Sequence, residues 1–104
     1  MLKCTILLPI RYNDGEWVEE GHLASIRDEL INLAGGLTYG GIHAGLWKDC
    51  AGKCIRDESE SYFVCIDADK LNDLRAILQR AAFKLEQDCI YLDYHEVHLD
   101  LIRP

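Results

Sequence analysis

The chain has 104 residues, 49% of them apolar, and carries a formal net charge of -7 from 18 acidic and 11 basic side chains. This length fits one domain, residues 1–104, that buries a core without metal or disulfide cross-links. Only 8 glycines and 2 prolines argue against collagen-like and low-complexity chains. The apolar runs fall short of the roughly 20 residues that span a bilayer, and the first one is too short for a signal peptide.

The first third of the chain predicts a strand followed by a helix. Residues 4–10 are a continuous apolar, β-branched run, which is typical of a strand buried on both sides. A turn signal at residues 13–15 follows, and the helix after it is expected to end at Gly35-Gly36. Helical spacing places four apolar side chains on one face of this helix: Leu23, Ile26, Leu30 and Leu33.

The middle third predicts a β-hairpin. Residues 37–48 form a strand interrupted by glycines, and such glycines indicate a bulge or a close backbone approach. Residues 49–53 suit the hairpin tip, where Gly52 can take a positive φ. The return strand spans residues 55–67, and its second half is wholly apolar.

The last third predicts a second helix and a final strand. Asp69 suits the N-cap of the helix. Along residues 89–102 the apolar positions change from even to odd numbers near His95, which predicts a bulge there or two separate strands. The buried stripe of the helix comprises Leu71, Leu74, Leu78, Ala81 and Leu85.

The β-α-β-β-α-β order predicts an α+β ferredoxin-like sandwich, with two helices on one face of a four-stranded antiparallel sheet. The other face of the sheet would be open. The runs ILL and YFVCI place apolar residues on both faces, so the open face needs cover. A second copy of the sheet provides that cover most simply, and we predict a homodimer. A ligand, another partner or the C-terminal segment are the alternatives.

A spaced pattern of glycine, threonine and tryptophan occurs between residues 36 and 61. It consists of Gly36-Leu37-Thr38, Gly45-Leu46-Trp47, Asp49, Gly52, Glu58 or Glu60, and Ser61. This pattern resembles the G-L-T … G-x-W … G … E-x-S pattern of a family of small, uncharacterised ferredoxin-like proteins, many of them lipoproteins. That family's helix end and last strand are similar to Phe83, Glu86-Gln87 and Cys89-Ile90-Tyr91. The resemblance implies the fold and no activity; a signal peptide and a lipobox cysteine are not expected here.

Net charge and cysteine usage narrow the partners and the compartment. A charge of -7 repels phosphate backbones, so we expect no nucleic-acid partner. The acidic segments, residues 16–36 and 57–69, are solvated surface or a rim that recognises a basic protein. The five cysteines are an odd number, and several lie in apolar runs, which indicates a reducing compartment and predicts a cytoplasmic protein.

Two pairs of residues are candidates for catalysis and metal binding. His95 and His98 lie among carboxylates, and a carboxylate beside an imidazole suits acid–base catalysis; exposed strand residues are the plainer interpretation. Cys50 and Cys54 flank the hairpin tip and would complete a four-ligand set with the two histidines. Their spacing exceeds that of a usual zinc knuckle, so we expect no metal, and ordinary thiols or a disulfide remain as interpretations.

Aromatic side chains and one arginine suggest a ligand site. On the open sheet face they would form one pocket, with Arg11 anchoring an anion. Core and interface packing is the competing interpretation of the aromatic residues. The predicted ligand-binding residues are Arg11, Tyr39, His43, Trp47, Tyr62 and Tyr91.

The sequence therefore predicts a noncatalytic binding or interaction module. It would hold a small ligand or a protein partner, for example as an inhibitor of a basic protein, through the open sheet face or the acidic rim. The alternative is a small enzyme whose inter-sheet pocket uses His95 or His98 as acid–base. Neither a phosphate-binding loop nor a nucleophile elbow is present, and we predict no cofactor.

Overall fold

The computed structural model describes residues 1–104 as a four-stranded sheet with two helices on one face. The strand order is β2-β3-β1-β4, and every neighbouring pair is antiparallel. This is the predicted ferredoxin-like arrangement. A short 3₁₀ turn, Ala68–Lys70, precedes the second helix. The elements are β1 (Leu2–Pro9), α1 (Glu20–Ala34), β2 (Thr38–Lys48), β3 (Cys54–Ile66), α2 (Leu71–Lys84) and β4 (Tyr91–Glu96).

The core lies between the sheet and the helices. Strand β1 alternates strictly, with its even-numbered side chains buried against the helices and its odd-numbered ones on the open face. Ile6 and its cross-strand partner Tyr62 are both buried, as are Cys4 and its partner Val64. Each large aliphatic side chain buried in this way stabilises the fold by roughly 1.5–3 kcal/mol. The β1 run is therefore central to the stability of the domain.

Helix α1 matches its predicted face and end. Leu23, Ile26 and Leu30 are buried, while Leu33 is half-buried. The helix ends at Gly35, whose φ of 80° lets its N–H donate to the carbonyl of Ile31. Neither α1 nor α2 is long and apolar enough to cross a membrane.

The predicted N-cap at Asp69 is wrong. Asp69 lies inside the 3₁₀ turn, and no side chain caps either the turn or α2. The Lys70 N–H donates to the Asp67 carbonyl at 3.0 Å, so the turn provides the first backbone hydrogen bond. The helix itself begins only at Leu71.

The β2–β3 hairpin is longer than the sheet it belongs to. Strand β1 ends at Pro9, which pairs with Ser59, so residues 44–48 and 54–57 continue past it as a two-stranded ribbon, which we call the overhang. The predicted glycine bulge lies between Tyr39 and Gly41. With the overhang, the molecule is 50 Å long and measures 28 and 27 Å in the other two directions.

The chain leaves the sheet after Glu96, so the change of apolar parity near His95 marks the end of β4 and produces neither a bulge nor a second strand. The Val97 N–H still donates to the Met1 carbonyl at 3.0 Å. We call residues 97–104 the tail. Residues 98–104 make no backbone hydrogen bond.

The overhang and the tail together carry six of the fourteen large apolar side chains that are exposed. In the centre of the open face, Leu7 and Phe63 are half-buried, and the Lys3 ammonium lies 4.2 Å from the centre of the Phe63 ring. By contrast, Leu46 on the overhang is 75% exposed and Leu101 in the tail is 77% exposed. The surface that most needs cover is thus at the two ends of the molecule.

Candidate ligand cleft

A cleft of about 450 Å³ lies where the overhang leaves the sheet. Its walls come from three segments: residues 11–15 after β1, the hairpin at residues 47–49 and 55–58, and residues 87–89 between α2 and β4. The cleft exists because β1 stops at Pro9 while the hairpin continues and faces the two loops.

The apolar part of the cleft is a cross-strand pair on the overhang. Trp47 and Ile55 lie directly opposite each other in the β2–β3 ladder, and both line the cleft. Each side chain is roughly half exposed. An exposed indole next to an aliphatic side chain offers a flat surface for stacking.

Charged residues of both signs line the same cleft, and strand alternation places Lys48 and Arg56 on the face of the ribbon opposite this apolar pair. Lys48 and Arg56 line the cleft together with carboxylates, and none of these side chains takes part in an ion pair of the chain. Their charges are therefore free to pair with a bound molecule. The carboxylates of this group are Asp57, Glu58 and Asp88.

Two side chains that line the cleft are held by other residues of the chain. The Arg11 guanidinium lies 3.6 Å from the centre of the Trp17 ring and donates to the Gly15 carbonyl at 3.1 Å. The Tyr12 hydroxyl donates to Glu19, and this hydrogen bond raises the pKa of Tyr12 to about 12. Tyr12 is consequently a neutral phenol at physiological pH.

The six predicted ligand residues do not form one pocket. Arg11 and Trp47 line the cleft. Tyr39 and Tyr62, predicted on the open face, lie instead on the helix-covered face, because Tyr39 pairs with Tyr62 and Tyr62 pairs with the buried Ile6. Their rings are 5.6 Å apart.

The remaining two predicted ligand residues lie on the open face. His43 pairs with Ser59, and Tyr91 pairs with Leu7. Neither side chain lines the cleft. The open-face pocket proposed from the sequence is thus divided among three separate places.

Tyr62 belongs to a polar network that joins α1 to β3. Its hydroxyl donates to Glu60 and accepts from Arg27 at 3.3 Å. Arg27 lies 3.5 Å from the Glu60 carboxylate and also pairs with Glu20. Burial, and then the hydrogen bond to Glu60, raise the pKa of Tyr62 to about 12. Every polar group of this network has a partner within the chain, so its role here is structural.

The two candidate catalytic histidines are not near the cleft. His95 is exposed on the open face opposite Lys3, and His98 is exposed in the tail. Asp93 shares the face of His95, as predicted, but it accepts a hydrogen bond from the Tyr91 hydroxyl at 2.6 Å, which raises the pKa of Tyr91. Neither histidine lines the cleft, and neither forms an ion pair with a carboxylate of the same chain.

The cysteines of the hairpin tip and these histidines lie at opposite ends of the sheet. Cys50 and Cys54 follow the overhang beyond the end of β1, whereas β4 runs antiparallel to β1 and carries His98 past its start. All five cysteines are free thiols, and no group of three or more histidine, cysteine or acidic side chains is placed to hold a metal ion.

Sequence reasoning missed most of the cleft. Lys48, Arg56 and residues 87–89 were not predicted as ligand residues, because they come together only where three separate segments meet. One signal was available, since residues 37–56 carry a net charge of +2 in a chain whose total is -7. A cationic segment in an acidic chain is a candidate for binding an acidic group of a ligand or partner.

Strand order, register and helix placement define the class as a ferredoxin-like α+β sandwich. No protein-family model and no curated protein sequence matches the chain.

Solved structures share the fold. A phage SAM lyase in complex with S-methyl-5′-thioadenosine aligns with a TM-score of 0.68 at 10% identity, over 91% of this chain and 80% of that one. The divalent cation tolerance protein CutA1 from Thermus thermophilus aligns with a TM-score of 0.69 at 12% identity, over 97% and 88%. A variant of CutA1 from Pyrococcus horikoshii gives 0.65 at 12% identity, over 97% and 87%. These neighbours include an enzyme and cation tolerance proteins, so the fold alone is compatible with a binding module or an enzyme.

Proposed function

We propose that the protein is a noncatalytic binding module that holds a small, flat, polar molecule in the cleft at the base of the overhang. The observation that carries this proposal is that the half-exposed Trp47 lines the same cleft as charged residues that form no ion pair within the chain. The volume of about 450 Å³ lies within the range of small-molecule sites. The binding role is favoured over the enzyme alternative because His95 and His98 lie outside this cleft.

The lining indicates the chemistry of the ligand. An indole surface favours an aromatic ring system, while Lys48, Arg56 and the nearby carboxylates favour a molecule with both hydrogen-bond donors and acceptors. A nucleoside has these properties. The phage SAM lyase that shares the fold was solved with S-methyl-5′-thioadenosine, which makes this nucleoside the natural first probe.

Calorimetric titration tests the proposal with S-methyl-5′-thioadenosine, adenosine and adenosine monophosphate. Base stacking on an aromatic side chain contributes about 1–3 kcal/mol, so Trp47→Ala should weaken binding roughly 10-fold or more. Phe83→Ala is the matched control, because Phe83 is 90% exposed on α2 and does not line the cleft. The proposal fails if none of the three probes binds, or if Trp47→Ala binds as tightly as the unaltered protein.

The proposal also covers the oligomeric state and the cellular compartment of the protein. The protein would act as a homodimer in the cytoplasm. Five free thiols fit a reducing compartment, and the exposed apolar overhang and tail fit association with another copy. A basic protein at the acidic rim remains the second type of partner that the charge distribution favours.

A further inference from the structure

In a single copy, the overhang lacks both a third strand and a layer packed against it. It is a two-stranded ribbon with exposed apolar side chains on both faces, Leu46 on one and Trp47 and Ile55 on the other. Two strands alone are marginally stable in water, and they need a third strand or a packed layer. The outer edge of β2 also leaves its backbone groups unpaired, because β2 pairs only with β3.

The tail has the properties of a strand without a sheet. Val97, Leu99 and Leu101 alternate with the polar His98 and Asp100, which is the period of a strand with one apolar face. Residues 98–104 make no backbone hydrogen bond, and their apolar side chains are exposed. At about 3.3 Å per residue, these seven residues match the length of β2 from residue 42 to residue 48.

The tail cannot reach the overhang of its own copy. Strands β3 and β1 lie between β2 and β4 in the sheet. The tail also leaves the sheet beside Met1, at the end opposite the overhang, so the length of β1 separates the two segments. Only another molecule can bring the two segments together.

Charge does not oppose this pairing between copies. The hairpin end at residues 44–57 carries a net charge of +1, and the tail carries one acidic and one basic side chain, Asp100 and Arg103. The two segments therefore do not repel each other.

We propose that the tail of one copy adds as an extra strand along the outer edge of β2 in a second copy, and that the two copies exchange tails in this way. The backbone hydrogen bonds of the added strand satisfy both unpaired segments, and the apolar side chains of the tail cover Leu46. Exchange around a two-fold axis makes the contact twice. This contact specifies the homodimer of the proposed function and is independent of ligand binding in the cleft.

Sedimentation equilibrium of three variants tests the contact. Leu46→Asp and the double variant Leu99→Asp/Leu101→Asp should each raise the dimer dissociation constant at least ~10-fold, because each buries a charge at the centre of the contact. Phe83→Asp places a charge on an even more exposed apolar residue outside the contact and should leave the constant unchanged. All four altered positions are exposed, so the monomer should keep its circular dichroism spectrum.

The outcomes separate this contact from the cleft. Weaker association of the first two variants, with Phe83→Asp unaffected, supports the proposal. Equal weakening by Phe83→Asp, or unchanged association of Leu46→Asp, overturns it. Trp47→Ala affects the ligand affinity directly, and Leu99→Asp/Leu101→Asp leaves the cleft lining intact. Loss of ligand binding in Trp47→Ala therefore tests the cleft. Loss of association in Leu99→Asp/Leu101→Asp tests the contact made by the tail.

Discussion

The two halves of strand β3 differ sharply in their surroundings. Residues 61–66 lie beside β1 and under the helices, where Tyr62, Val64 and Ile66 are buried. Residues 54–57 belong to the overhang and pair only with β2. Both halves contain apolar residues, so composition does not distinguish the half of the strand that β1 and the helices cover from the half that pairs with β2 alone. Strand length distinguishes the two halves, because β1 stops at Pro9 and β3 extends beyond it.

The largest expected contrast concerns core and overhang side chains of similar size. Leu74→Ala removes a fully buried side chain and should lower the free energy of unfolding by about 2–5 kcal/mol. Leu46→Ala, measured at high dilution where copies are separate, should change it by less than about 0.5 kcal/mol. Urea denaturation of both variants measures the difference. Comparable losses at high dilution would mean that the overhang is packed within one copy.

The next contrast concerns two ion pairs. Arg27 and Glu60 are only 24% and 19% exposed, and removing Arg27 leaves the Tyr62 hydroxyl without its donor and the Glu60 carboxylate without its ion-pair partner. Arg27→Ala should cost about 1–3 kcal/mol of unfolding free energy. Arg80→Ala breaks the more exposed pair with Glu29 and should cost under ~1 kcal/mol. If the two losses are equal, the network does not hold α1 to β3.

The hairpin glycines give a smaller contrast. Gly41 in the bulge has a φ of 97°, a conformation that costs an alanine about 1–2 kcal/mol. Gly45 has no such φ, and a Cβ there would meet only the Trp47 indole nitrogen at an ordinary 3.5 Å. Thermal unfolding should therefore show a lower Tm for Gly41→Ala than for Gly45→Ala. Equal Tm values would indicate that the bulge relaxes freely.

The smallest effect at neutral pH concerns the Tyr62 phenol. Its pKa rises from 10.0 to about 12 on folding, so the folded protein retains a proton that the unfolded chain loses between these values. This contribution to stability is complete below pH 10 and disappears as pH rises toward 12. Tyr62→Phe should remove that part of the decline in unfolding free energy above pH 10. An identical decline in both proteins would contradict the shifted pKa.

Local patterns predicted the covered half of the molecule well. The spacing of Leu23, Ile26 and Leu30 identified the face of α1, and the glycines of β2 identified a bulge. The location of Tyr39 and Tyr62 was not predictable in this way, because strand register decides which face a side chain occupies.

The cleft was also beyond local patterns. It depends on the meeting of residues 11–15 and 87–89 with the hairpin, and these segments are far apart in sequence. The end of β4 was only partly predicted. The apolar alternation continues past Glu96 into the tail, but in one copy no neighbouring strand is there to pair with it.

Amide hydrogen exchange across a range of protein concentrations shows whether a second copy pairs with the overhang and the tail. We expect amides of residues 98–103 and of the outer edge of β2 to exchange more slowly as the concentration rises, while those of α1 do not change. Exchange of the tail that is fast and independent of concentration, even where the protein is dimeric, would contradict it.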